Sequence, residues 1–235
     1  MKLALIGYGA MGKLIRQLAE DRGHEIGAII DATDSHASSS ALAEKLSGSA
    51  VAIDFSTAEA VRRNVEACLS AEVPLVQGTT GWSAEREGIE KIVNEADGAF
   101  VFGANFSIGV NLFYRVADYA AELFAKFPEY ETFIEEQHHS RKKDAPSGTA
   151  LKLKEIISRR IDKDFSVSAT RAGNIPGTHR VGFDGPADQI LLEHTARSRE
   201  GFAAGALLAA EWIVGKKGFY EFTDVIDEVC RIRGT

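Results

Sequence analysis

Through the first hundred residues, short apolar runs alternate with segments whose apolar positions recur at helical spacing. Leu3 to Ile6 is the first run; a glycine-rich turn follows, then Lys13 to Arg22 with helical period. Glu25 to Ile30 reads as a second strand ending at Asp31, and Ala50 to Phe55 as a third that runs into Asp54-Phe55-Ser56. Glu59 to Ala71 predicts a helix, and Pro74 to Gln77 a strand that meets Gly78-Thr79-Thr80-Gly81. A helix over Ala84 to Ala96 and a strand over Gly98 to Phe102 complete the series. Such alternation predicts an α/β class, a parallel sheet with helices on both faces. Thr33 to Ser40 is the stretch closest to a disordered loop.

The grammar then changes. Asn111 to Phe127 reads as one long amphipathic helix, with Leu112, Val116, Tyr119, Leu123 and Phe127 near helical period. Tyr130 to Gln137 is strand-like, and a helix is expected over Gly148 to Ile161, after Pro146-Ser147. Phe165 to Arg171, His179 to Phe183 and Gln189 to Thr195 are strand-like and joined by glycine-rich loops. Strands in succession predict a second, α+β domain built on a mixed sheet. Phe202 to Val214 returns to a helical pattern. The division expected is 1–106 with 200–235 for the first domain and 107–199 for the second.

Composition adds exclusions. No apolar run is long enough to span a bilayer, and the first residues lack a signal-peptide pattern, so a cytoplasmic location is expected. Cys68 and Cys230 share no metal spacing and read as reduced thiols; no metal is expected. A net charge of −7 argues against nucleic-acid binding. An acidic chain that handles an anion needs a local cationic pocket, and His138-His139-Ser140-Arg141-Lys142-Lys143 is the candidate.

Gly7-Tyr8-Gly9-Ala10-Met11-Gly12 is G-x-G-x-x-G between a strand and a helix, the context a dinucleotide site requires. The glycines allow a tight turn, close approach of a pyrophosphate and close helix–strand packing, and the helix start faces the anion with free N–H groups. Asp31 lies about 20 residues on, where a carboxylate accepts hydrogen bonds from the adenine ribose hydroxyls and repels a 2′-phosphate. NADH is therefore the expected cofactor, with NADPH as the lesser alternative. Gly78-Thr79-Thr80-Gly81 either lets the backbone approach the nicotinamide end or is a simple turn.

His138 to Thr149 reads HHSRKKDAPSGT. Histidine titrates near neutrality and can supply a proton to an intermediate; Lys142 can supply a second proton or a fixed charge. Ser147-Gly148-Thr149 offers hydroxyls and N–H groups at a helix start, which suits a carboxylate. Adjacent histidines on a strand point to opposite faces, which argues against a metal pair. Positions 138 and 142 share a face if extended geometry persists that far.

Taken together, GYGAMG at Gly7, DFS at Asp54, GTTG at Gly78, ANFSIGVN at Ala104 and HHSRKKDAPSGTA at His138 resemble the dihydrodipicolinate reductases, with Arg171-Ala172-Gly173, Gly177-Thr178-His179 and the Arg199–Phe202 stretch also matching. The resemblance implies an N-terminal Rossmann domain, a central substrate-binding and oligomerisation domain, and hinges near Asn105–Ser107 and Arg199. It implies reduction of a small dicarboxylate, 4-hydroxy-tetrahydrodipicolinate or dihydrodipicolinate, in lysine and diaminopimelate biosynthesis. By resemblance His138 is the catalytic acid/base, Lys142 the proton donor and His139 a substrate contact, which places the end of the strand near position 139. Gly148 and Thr149, beside Ser147, would hold a carboxylate. Gly7 to Gly12, Gly78 to Thr80 and Gly103, Ala104, Asn105 and Phe106 would contact the cofactor. A homotetramer through the central sheets is also implied. Ala32 stands where some members carry an arginine for a 2′-phosphate, which again favours NADH. The rival reading is a nucleotide-sensing regulator that keeps the fold and has lost the chemistry.

Overall fold

The computed structural model describes residues 1–233. The chain divides into two compact units, Met1–Ile108 with the segment from Glu200 onward, and Gly109–Arg199. These boundaries lie within two residues of positions 106 and 199.

The first unit opens with β1 (Lys2–Ile6), α1 (Ala10–Asp21), β2 (Glu25–Ile30), α2 (Ser39–Leu46), β3 (Val51–Asp54), α3 (Val61–Ser70), β4 (Leu75–Gln77), α4 (Arg86–Glu95) and β5 (Ala99–Phe102). The second unit holds most of α5 (Ile108–Phe124), then β6 (Glu131–His138), α6 (Gly148–Ser158), β7 (Ser166–Arg171), β8 (Thr178–Asp184) and β9 (Gln189–Thr195). The chain then returns to the first unit with α7 (Glu200–Ile213), β10 (Gly218–Glu221) and α8 (Phe222–Arg233).

The first-unit sheet is parallel, in the order β10-β5-β4-β3-β1-β2. Its strands are short and apolar because both faces are covered: Leu3 and Leu5 join the core with Ile15, Leu207 and Phe222, while Ala4 and Ile6 join the other with Leu42, Val65 and Ile89. The strand order reverses between β1 and β3, the switch point at which ligands bind in doubly wound sheets. Three expectations change here. α1 begins at Ala10, three residues before Lys13, because the glycine turn ends at an N-cap glycine, Gly9. Thr33 to Ser40 is not a disordered loop: Ala32–Asp34 forms a 3-10 turn capped by Asp31, and α2 starts at Ser39, its first turn capped by Ser38 Oγ. β10 and α8 extend the sheet and its covering layer beyond the elements read from the sequence.

The second-unit sheet is mixed, in the order β7-β6-β8-β9, with β6 parallel to β7 and antiparallel to β8. One face carries Ile134, Val181 and Phe183, packed with Phe113, Ala117 and Ala121 of α5 and Leu153 and Ile157 of α6. The apolar stripe read on α5 is not the buried one. Leu112, Val116, Tyr119, Leu123 and Phe127 are 41–63 % exposed, whereas Val110, Phe113, Ala117 and Ala121 are buried. Both sets satisfy helical spacing, and the set that turns inward is the one packed with Ile134, Val181 and Phe183 in the core.

Candidate active site

The first unit carries a cleft of about 500 Å³ lined by Gly9, Ala10, Met11, Phe55 to Ala58 and Gly78 to Thr80. It brings together the first two expected cofactor segments and adds Phe55 and Ser56 of the DFS motif with Thr57 and Ala58 that follow it. Packing explains the glycines. A Cβ at Gly7, where φ is +87°, would stand 2.3 Å from the carbonyl oxygen of Phe55, and one at Gly12 2.2 Å from that of Gly7. A Cβ at Gly78 would strike the Phe55 ring at 2.2 Å. At Gly9, by contrast, a Cβ would meet nothing within 4 Å. Gly9 is the N-cap of α1 without a side-chain cap, and the first turn has no acidic residue. Free N–H groups over open space fit a pyrophosphate, so the residues present suit a dinucleotide.

A buried carboxylate fixes the far wall. Asp54 Oδ1 accepts from Ser56 N at 2.7 Å and Thr79 Oγ1 at 3.2 Å, and Oδ2 from Asn64 Nδ2 at 2.9 Å. Burial pushes the Asp54 carboxyl up, against these bonds. Thr79 is buried and its carbonyl accepts from Trp82 Nε1 at 2.8 Å, whereas Thr80 is exposed. Tyr8 Oη accepts from Arg16 Nη1 at 3.0 Å. Of the third cofactor segment, Gly103 N donates to the Gln77 carbonyl at 3.2 Å and Asn105 Oδ1 accepts from Ser107 N at 2.8 Å. The Phe106 ring is buried 4.7 Å from Phe222, which leaves only its backbone for a ligand.

Asp31 stands exposed at the end of β2, and Oδ1 accepts from Thr33 N at 2.8 Å and Thr33 Oγ1 at 2.7 Å, which holds its carboxyl below the usual range. Two cations near this loop are engaged. Lys45 pairs with Asp34, and Arg63 Nη1 donates to the carbonyls of Ser35 and, at 3.4 Å, Ala37.

In the second unit the pleat gathers a polar cluster. Ile134, Glu136 and His138 alternate onto the covered face of β6. Register then sets His179 opposite Glu136 and Arg171 beside His138. Glu136, His138 and His179 are all buried. Arg171 grips Glu136 with two bonds, Nη1 to Oε2 at 2.9 Å and Nη2 to Oε1 at 2.6 Å. Ser147 N donates to Oε1 at 3.0 Å, and His138 Nδ1 bonds Oε2. Burial alone would raise the Glu136 carboxyl, but these donors together hold it below the usual range. Burial lowers His138, offset in part by Glu136, with Lys142 and Arg171 also lowering it. His179 is pulled down to about 4, first by burial and then by His138, so it is neutral at physiological pH.

Glu136, His138 and His179 offer ligand atoms within 4.8 Å of one another. The guanidinium of Arg171 occupies both Glu136 oxygens, so the group fits a hydrogen-bond network rather than a cation.

β6 ends at His138, and Lys142 N donates to the His139 carbonyl at 3.1 Å, so extended geometry does not persist to position 142. His138 and Lys142 therefore do not share a strand face; Lys142 sits in the turn, paired with Asp144 at 2.9 Å. His139 is half-buried, with Nδ1 enclosed and without a hydrogen-bond partner. Ser147 caps α6: its Oγ accepts from Ala150 N at 3.3 Å and lies 3.1 Å from His179 Nε2. That hydroxyl is buried, whereas Gly148 is exposed with open space at its Cα, and Thr149 bonds Tyr114.

The profile described as "Dihydrodipicolinate reductase, N-terminus" matches residues 1–106, and "Dihydrodipicolinate reductase, C-terminus" matches 109–226. The chain belongs to the dihydrodipicolinate reductase family. This is a family of nicotinamide-nucleotide-dependent reductases. A 4-hydroxy-tetrahydrodipicolinate reductase of Christiangramia forsetii is 35 % identical over 244 residues, which cover 98 % of this chain and 100 % of that protein. One of Archaeoglobus fulgidus is 38 % identical over 200 residues, covering 75 % and 76 % of the two chains. A dipicolinate-bound dihydrodipicolinate reductase from Paenisporosarcina sp. TG-14 shares the fold, with a TM-score of 0.79 at 21 % identity over 95 % of this chain and 98 % of that one. Among the described residues no helix is long and apolar enough to cross a membrane.

Proposed function

We propose that the chain is a 4-hydroxy-tetrahydrodipicolinate reductase, an oxidoreductase of lysine and diaminopimelate biosynthesis that prefers NADH and uses His138 and Lys142 in proton delivery. The observation that carries the site assignment is the buried His138 imidazole, held by Glu136 where β6 ends and next to the turn that bears Lys142. The nicotinamide, when bound, supplies hydride. Gly7 to Gly12 and Gly78 to Thr80 hold the cofactor, with the exposed backbone N–H groups of α1 over the pyrophosphate and Asp31 on the adenine ribose. Gly103 to Phe106 contribute backbone. The substrate is a small dicarboxylate. Gly148 N–H and Thr149 at the start of α6 take one carboxylate, and His139 and the cationic turn take the other. Ser147 supports this site from beneath. His138 or Lys142 then protonates the ring that has gained electron density. The working form is a cytoplasmic homotetramer built on the sheet face of the second unit that α5 and α6 leave open.

Steady-state assays with NADH and NADPH, following nicotinamide absorbance with the condensation product of aspartate semialdehyde and pyruvate, test this reading. His138→Gln and Lys142→Met should each lower kcat by about 10²-fold or more, the range a positioned proton donor supplies, with NADH affinity close to wild type. Near-wild-type turnover of either variant across neutral pH removes that residue from proton delivery. Absence of turnover by the wild type would favour the sensor reading instead.

A further inference from the structure

Glu136 takes no part in the reaction as set out above, yet both of its oxygens are fully used. Oε1 accepts from Arg171 Nη2 and Ser147 N, and Oε2 from Arg171 Nη1 and His138 Nδ1. The carboxylate is buried, and a buried charge is costly unless paired and hydrogen-bonded. The sheet is arranged to meet that cost: β7 brings Arg171 alongside His138, and the turn before α6 aims a backbone N–H at the same oxygen. Gly177 keeps the opposite side of the imidazole uncrowded, since a Cβ there would stand 3.1 Å from His138 Nε2.

We propose that Glu136 is the positioning residue of His138: its carboxylate, locked by Arg171, holds the imidazole by Nδ1, so that Nε2 is the atom from which the proton leaves. This rests on the reading of His138 as a proton donor. In the step itself the doubly protonated imidazole gives its Nε2 proton to the ring that has accepted hydride. The Nδ1 proton stays on the bond to Glu136, and the neutral Nδ1–H tautomer remains. The imidazolium is favoured by Glu136 and disfavoured by burial, Lys142 and Arg171, with His179 the other titratable ring against it, centroids 5.1 Å apart. Removing the Glu136 charge therefore moves the proton off His138 at lower pH.

The first measurement uses the wild-type protein: ¹⁵N shifts of the imidazoles, with the His138 signals assigned by their loss in His138→Gln. The neutral ring of His138 should be the Nδ1–H tautomer; an Nε2–H tautomer overturns the proposal. The second is kinetic. Glu136→Gln should lower kcat by about 10- to 100-fold, part of what a positioned acid contributes, with substrate KM and NADH affinity near wild type. The basic limb of its kcat profile should move to lower pH. In the His138→Gln background, Glu136→Gln should add nothing, because its effect passes through the imidazole. An equal loss in that background, or an unmoved pH limb, overturns the positioning role. If His138→Gln itself turns over like wild type, the donor reading fails while the tautomer still reports on the contact. Should Glu136→Gln not fold, the wild-type tautomer decides.

Discussion

Ser147 is the residue whose structural role is sharpest, and truncating it separates fold from substrate binding. In Ser147→Ala the Oγ that accepts from Ala150 N at 3.3 Å is lost, which costs α6 its cap, about 1 kcal/mol. The same deletion leaves His179 Nε2, 3.1 Å away in a buried site, without its partner. A buried polar group left unsatisfied costs about 1–3 kcal/mol, so the sum is about 2–4 kcal/mol. With a urea slope of about 2 kcal/mol per molar, in the middle of the range for small proteins, the midpoint should fall by roughly 1–2 M. The probe matters. Both tryptophans, Trp82 and Trp212, lie in the first unit, so intrinsic fluorescence does not watch the second. Far-UV circular dichroism and hydrogen exchange of the α6 amides do. Ser147→Gly divides the total: glycine costs a helix N-cap only a few tenths of a kcal/mol, so about 1–3 kcal/mol should persist from His179 alone. A loss under about 0.5 kcal/mol in the alanine variant, the range of ordinary surface changes, refutes the reasoning. Wild-type stability in the glycine variant would refute the His179 share.

Other outcomes follow from the same geometry. Thr149→Val should raise substrate KM with NADH affinity unchanged; an equal loss of NADH binding would place the α6 start in the wrong site. Asp31→Ala with Ala32→Arg should shift preference from NADH toward NADPH in steady-state assays, and a wild type that already binds NADPH more tightly refutes the role of Asp31. Gly9→Ala meets open space, so its melting temperature should match wild type while NADH affinity falls; Gly12→Ala, with a Cβ 2.2 Å from the Gly7 carbonyl, should lose stability as well. His179, lowered from 6.5 to about 4, binds fewer protons folded than unfolded, so stability is fully present above about pH 6.5 and lost as pH falls toward 4. That group alone contributes about 3 kcal/mol across the window, and His179→Gln should flatten the acid limb of urea stability.

The parallel half was legible because its strands are buried on both faces and bounded by glycines. Helical spacing could not choose a face on α5, where two apolar sets compete and packing with the sheet residues Ile134, Val181 and Phe183 decides. β10 and α8 were not read, since four residues, Gly218 to Glu221, become a strand only by pairing with β5. Near the candidate chemistry, His138, Lys142 and the Ser147–Thr149 turn are contiguous enough to read. Glu136 was missed, although its place two residues before His138 on a strand was the signal that could have found it. Arg171 and His179 lie 33 and 41 positions beyond His138, and only pairing in the sheet makes them neighbours.

That β10 pairs with β5 has a consequence for how the chain is made. A ribosome releases β5 long before residues 218–221, and the whole second unit emerges in between. Until then β5 is an unpaired edge, with Phe100 and Phe102 waiting for Phe219, which later lies 5.0 Å from each ring. An open apolar edge invites pairing with other nascent chains. The second unit, continuous in sequence, can close on its own contacts while the first is still unfinished. Arrest of translation before residue 218 should therefore leave a folded insert on an unsealed sheet, and that nascent chain should need a holdase.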